Sequence, residues 1–238
     1  MSYHNPVLLR ESIDALDIKE DGVYVDVTFG GGGHSKEILS RLGENGKLFA
    51  FDQDPDAQAN KIDDDRFVLI AENFRHITRF LKFYRVNKVD GILADLGVSS
   101  HQFDAAERGF STRFDADLDM RMDQKSNLSA KQIIKNYSEE QLADVLFLYG
   151  ELRSARALAK TIVEARIEQK IETSFQLKEV LKRHLPKAKE HKILAQIYQA
   201  IRIEVNQELE VLKEFLNQIP DLLKEDGRLS VISYHSLE

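Results

Sequence analysis

Four consecutive glycines, Gly30, Gly31, Gly32 and Gly33, stand between a β-branched run, VYVDV (23–27), and a helical pattern, SKEILSRLG, that Gly43 closes. A glycine turn in that position lets backbone approach a ligand closely and aims a helix N-terminus at it. The same alternation recurs downstream. KLFAFD (47–52) and RFVLIA (66–71) read as a second and third strand, FRHITRFLKFY (74–84) has helical spacing, and VDGILAD (89–95) reads as a fourth strand. Strands alternating with helices mean βαβ units, so the sequence predicts an α/β fold with a parallel, doubly wound, Rossmann-like sheet.

From about residue 104 the pattern changes. Ser138 with Gln141 forms a capping-box signature before LADVLFLY, and Thr173 with Gln176 forms another before LKEVLKRHL. A run from about 188 to 218 keeps Leu194, Ile197, Tyr198, Ile201, Val205, Leu209, Leu212, Leu216 and Ile219 on one face, as one long helix would. After Pro220 and the Asp226-Gly227 pair, RLSVISY (228–234) is the fifth strand. The expected organisation is a sheet domain in two parts, 1–104 and 201–238, interrupted by an all-helical insertion, 105–200. Because the text stops just past a strand and leaves a sheet edge open, the native protein is expected to continue beyond Glu238.

A length of 238 residues is enough for one or two domains with a core of their own. There is no cysteine, which excludes disulfides, thiolate metal sites and cysteine nucleophiles. No apolar run is long enough to span a membrane, and acids throughout the first twenty residues speak against a signal peptide, so a cytoplasmic protein is expected. The net charge of −7 argues against coating nucleic acid by bulk charge. Residues 151–202, however, hold twelve Lys/Arg against six Glu, a basic segment in an otherwise acidic chain. Such a segment is either a polyanion contact surface or a solvated helical face.

Asp52 ends the second strand about twenty residues after the glycine turn, where a carboxylate accepts hydrogen bonds from ribose hydroxyls. The dinucleotide pattern G-x-G-x-x-G fails, because Ser35 takes the third glycine position, and no G-K-[ST] follows to hold phosphates. S-adenosylmethionine has the ribose without the phosphate, and fits best. Asp95 closes the fourth strand in ADLGVSS (94–100), where a second substrate meets the cofactor and a carboxylate can accept from an amine. Asp104, Glu107, Arg108, Asp115, Asp117, Asp119, Arg121 and Asp123 interleave both charges without metal-ligand spacing, and read as an ion-paired loop, with no metal expected. His235, just past the fifth strand, is a further catalytic candidate.

HNPVLL (4–9), VDVTFGGGGHS (25–35), AFDQDP (50–55), DGILADLGVSS (90–100), ERGFS (107–111), DLDMRMD (117–123), YGE (149–151), RIEVNQEL (202–209) and GRLSVISYHSLE (227–238) stand in order along the chain. Together they resemble the ribosomal RNA small subunit methyltransferase H family, whose bacterial enzyme methylates N4 of a cytidine in the decoding region of 16S rRNA. The resemblance implies a class I methyltransferase sheet with a helical insertion. It places cofactor contacts on Gly32, Gly33, His34, Asp52, Phe74, Asp95 and Gln102. His101 stands where relatives commonly carry Pro, and HKILAQIYQA replaces the stretch that usually precedes the RIxVNxEL helix.

The implied partners are 16S rRNA in the small subunit or its assembly intermediate, with no membrane and with a homodimer left open. The Asn/Asp-Pro-Pro-aromatic tetrad of many amino-methyltransferases is replaced by Asp-Leu-Gly-Val (95–98), so the aromatic partner of the base must come from elsewhere, with Phe110 and Tyr234 as candidates. The rival reading is a non-catalytic RNA-binding assembly factor that keeps the fold and the nucleoside pocket.

Overall fold

The computed structural model describes residues 6–238, which divide into two compact units. The first joins the chain up to Ser99 with Leu209–Glu238, and the second is Ser100–Glu208. The chain leaves the sheet unit five residues earlier than expected, within the GVSS stretch, and returns eight residues later. His4 and Asn5 of the HNPVLL motif lie outside the described residues.

The first unit is built on five parallel strands: β1 (Val23–Asp26), β2 (Lys47–Phe51), β3 (Phe67–Ile70), β4 (Val89–Asp95) and β5 (Leu223–Ile232). Their spatial order is β3-β2-β1-β4-β5. Successive strands step outward from β1 to β3, and β4 then returns to the other side of β1. The topological switch point therefore lies between β1 and β4, where ligands of open α/β sheets bind.

Alternation along the strands feeds two cores, because successive side chains point to opposite faces. Val25, Phe49, Phe51, Ile92 and Ala94 pack with Ile77, Leu81, Leu212, Phe215 and Ile219 from α3 (Ile77–Phe83) and α10 (Glu208–Leu222). Tyr24, Leu48, Ala50 and Leu93 face the other way, against Ile13, Leu16, Ile38 and Leu39 from α1 (Leu9–Ala15) and α2 (Gly33–Arg41).

Two expectations need correction here. The run from 188 to 218 is not one helix: α9 (Glu190–Asn206) and α10 are separated at Gln207, whose φ of 51° is left-handed. The cause is Asn206, whose side chain accepts from the Met122 amide at 2.8 Å and donates to the Met120 carbonyl at 2.8 Å. The fifth strand begins at Leu223 rather than Arg228, and Pro220 lies inside α10. The Asp226-Gly227 pair falls at an irregularity within β5, whose pairing with β4 shifts between Val89 and Gly91. Lys224 there reaches the buried Asp90 carboxylate at 2.7 Å.

The second unit carries α4 (Ser100–Asp104), α5 (Ala130–Asn136), α6 (Glu139–Leu148), α7 (Ala155–Glu168), α8 (Ser174–Leu181) and α9. Both expected capping boxes form, Ser138 with Gln141 and Thr173 with Gln176. The charged loop is ion-paired as expected, with Asp104–Arg113 at 2.8 Å and Asp119–Arg121 at 2.7 Å. No helix among the described residues is long and apolar enough to cross a membrane.

Candidate functional site

The glycine turn after β1 is held at both ends by one carboxylate. Asp26, fully buried at the end of β1, accepts from the Thr28 amide at 3.1 Å and from the Ser35 hydroxyl in the first turn of α2 at 2.7 Å. Between these anchors Gly30 and Gly32 adopt left-handed φ values of 49° and 75°, which a side chain would strain. The turn is close-packed as well. A Cβ on Gly32 would lie 2.9 Å from the Phe29 ring, and one on Gly33 would lie 2.3 Å from Pro6.

Asp52 follows β2 and reaches back to the same turn. Its Oδ2 accepts from the Gly30 amide at 2.7 Å and its Oδ1 from the Asp54 amide at 2.8 Å. Asn60 completes the frame by donating to the Gly30 carbonyl at 3.0 Å. A carboxylate offers about four lone-pair sites, so two remain for hydroxyl donors. Burial pushes its pKa up to about 6; the two amides oppose that shift, and the nearby Asp54 and Asp26 charges add to it.

Asp95 stands at the end of β4, across the switch point from the glycine turn, where Thr28 Oγ1 accepts from its amide at 2.7 Å. The Tyr234 hydroxyl donates to Asp95 Oδ1 at 2.9 Å. On the other side, His34 Nδ1 lies 3.9 Å from Asp95 Oδ2. Because His34 Nε2 faces the Val7 carbonyl at 3.1 Å, that nitrogen is the donor, and in the neutral ring Nδ1 is an acceptor. His34 and Asp95 then form a pair of acceptors spaced to take an N–H group. Burial raises the Asp95 carboxyl above its ordinary value, against the lowering pull of the Tyr234 hydrogen bond and of the His34 ring when it carries a charge.

The structure thus brings Gly32, Gly33, His34, Asp52 and Asp95 to one edge of the sheet. Phe74 begins the short 3-10 turn that leads into α3 and is half-buried, its ring edge-on to Phe215 at 5.2 Å, so its packing is part of the core. Its neighbour Asn73 donates to Gln53, next to Asp52, at 2.7 Å. Gln102 is buried on α4 in the second unit. His235 faces Glu238, 3.2 Å away, and it is Tyr234, one residue earlier, that reaches Asp95. Phe110 is buried in the second unit beside Arg108.

Sequence reasoning passed over Asp26, Thr28, Ser35 and Asn60. The first three stand in the VDVTFGGGGHS run, and an acid closing the strand ahead of a glycine turn was the available signal. Nothing local marks Asn60.

The MraW methylase family model matches residues 1–238. The chain belongs to this family. Among curated relatives, the ribosomal RNA small subunit methyltransferase H of Flavobacterium johnsoniae is 68% identical over all of this chain and 79% of its own length. That of Christiangramia forsetii is 67% identical over the same shares. A solved structure, an rRNA methylase from Streptococcus thermophilus, aligns at 16% identity and a TM-score of 0.30 over 49% of this chain and 70% of its own. As a family methylase the chain needs a methyl donor, and its site fits S-adenosylmethionine on two counts: a left-handed Gly32 with no room for a Cβ, and the Asp52 carboxylate after β2, with lone-pair sites beyond those taken by the Gly30 and Asp54 amides.

Proposed function

We propose that the chain is an rRNA methyltransferase that uses S-adenosylmethionine to methylate N4 of a cytidine in the decoding region of 16S rRNA. One observation carries the reading: in a chain of the methylase family, the carboxylates of Asp52 and Asp95, read here as acceptors for ribose hydroxyls and for an amine, stand on either side of the glycine turn at the switch point. The cofactor, when bound, supplies an electrophilic methyl group on a sulfonium.

The residues do the rest by binding and orienting. Asp52 takes the ribose hydroxyls, and the glycine backbone lets the cofactor lie against the sheet edge. The N4 amine of cytosine is a poor nucleophile because its lone pair is delocalised into the ring. Its proton passes to the Asp95 carboxylate or to solvent water during or after transfer, so no strong base is needed before attack. Holding the amine in line with the methyl supplies the acceleration, and Asp95 orients it by accepting one of its N–H bonds. The cytidine leaves its stack to reach the pocket, as base-modifying enzymes require. Phosphate contacts from the basic segment 151–202, together with RNA shape, provide selection.

The test is transfer of labelled methyl from S-adenosylmethionine to small-subunit rRNA or particles, with DNA and bulk protein as competing acceptors. Label in rRNA alone supports the reading. Cofactor binding without label in any acceptor would favour the non-catalytic assembly factor.

A further inference from the structure

Tyr234 follows β5, whose Ile232 pairs with Asp95 at the end of β4. Its backbone amide donates to Glu238 at 2.8 Å, which fixes the residue beyond the strand. Its ring runs alongside Gly97, where a Cβ would lie 3.6 Å from Tyr234 Cδ2 and where a φ of 96° favours glycine. The hydroxyl is committed to Asp95 Oδ1, 2.9 Å away, yet the residue as a whole remains 54% exposed. An aromatic residue anchored by its hydroxyl and by its backbone, with its ring open, is arranged to receive a flat group.

We propose that the target nucleobase stacks on Tyr234, and that the Tyr234 hydroxyl holds Asp95 turned so that its free oxygen accepts from the exocyclic amine. The proposal rests on the functional reading above and deepens it. It supplies the aromatic partner that Asp-Leu-Gly-Val (95–98) lacks, from the neighbouring strand. One residue then performs two tasks: the ring sets the plane of the base, and the hydroxyl sets the carboxylate facing it. Tyr234 is a positioning residue for Asp95 and a contact residue for the base. The groups that act on the Asp95 charge are Tyr234, His34, Asp26 and Glu238, and of these Tyr234 and His34 favour its ionised form.

Two variants separate the tasks. Tyr234→Phe keeps the ring and removes the hydrogen bond: the KM for RNA stays near wild type, kcat falls, and the acid limb of kcat/KM moves to higher pH as Asp95 becomes harder to ionise. Tyr234→Leu removes the ring: the KM for RNA rises about ten- to a hundred-fold, the scale of one lost base–aromatic stack.

Photo-crosslinking of the wild-type chain to a short RNA carrying one 5-iodocytidine, mapped by mass spectrometry, reads the contact without catalysis. Attachment at Tyr234 supports the proposal. Attachment only elsewhere, or none, overturns it, as does an unchanged KM in a folded Tyr234→Leu variant. If the wild-type chain transfers no methyl group, the functional reading fails, and the cross-link alone decides whether a base stacks there.

Discussion

Asp52 accepts a hydrogen bond from the amide of Gly30 at 2.7 Å, so the residue proposed to bind ribose also holds the glycine turn. Asp52→Ala therefore carries two losses. Cofactor affinity falls about ten- to a hundred-fold, the scale of a charged hydrogen bond, and the fold loses stability as well. Calorimetry together with a thermal melt checks both; unchanged affinity in a folded variant would remove Asp52 from the site.

The raised Asp52 carboxyl makes binding depend on pH. With its pKa pushed up to about 6, the carboxylate proposed to accept ribose hydroxyls is progressively protonated below that pH. Cofactor affinity should fall with acidity, by at most about tenfold per pH unit for a single proton. Stability moves the other way. The folded chain holds this proton over the window from 3.8 to about 6, where the unfolded chain has released it, so the Asp52 contribution declines as pH rises through that window. Its size is at most about 3 kcal/mol. Asp52→Asn should flatten this component of both profiles, read by calorimetry and by denaturant melts from pH 4 to pH 8.

Glycine is required unequally within the turn. Gly32→Ala meets both a left-handed φ of 75° and the Phe29 ring, and should lose about 1–2 kcal/mol for the backbone alone. Gly31→Ala, at an exposed position, should leave the melting temperature close to wild type. Equal melting temperatures for the two variants would contradict the described turn.

The second unit presents cations without carboxylate partners. Among the described residues Arg153 and Arg156 have no ion-pair partner, and Lys160 has only Glu164 at 3.8 Å. Reversing all three charges should weaken RNA binding and flatten its salt dependence by about 0.7–0.9 per lost phosphate contact. An unchanged salt slope would place the RNA surface elsewhere.

Strand alternation made the sheet legible, and with it the glycine turn, Asp52 and Asp95, because these positions follow from where strands end. Asn206 shows what was not legible. The apolar periodicity runs unbroken from Leu194 to Ile219, yet its amide binds Met120 and Met122 more than eighty positions away and ends α9 there. The start of β5 was hidden for a similar reason: the buried Asp90 draws in Lys224, and local propensity carries no trace of a pairing across 134 positions. At the site, Asp52 was readable as an acceptor toward a ligand, whereas its grip on Gly30 needed three dimensions. Tyr234 was readable as a candidate aromatic partner at the end of the fifth strand, and its link to Asp95 was not.

The most direct measurement is the identity of the methylated nucleoside. Small-subunit rRNA is incubated with the chain and labelled S-adenosylmethionine, digested to nucleosides and resolved by mass spectrometry. Label recovered as N4-methylcytidine from one position in the decoding region is the predicted result. Label on a ring carbon, on a ribose or on another base would contradict a site in which Asp95 orients an exocyclic amine.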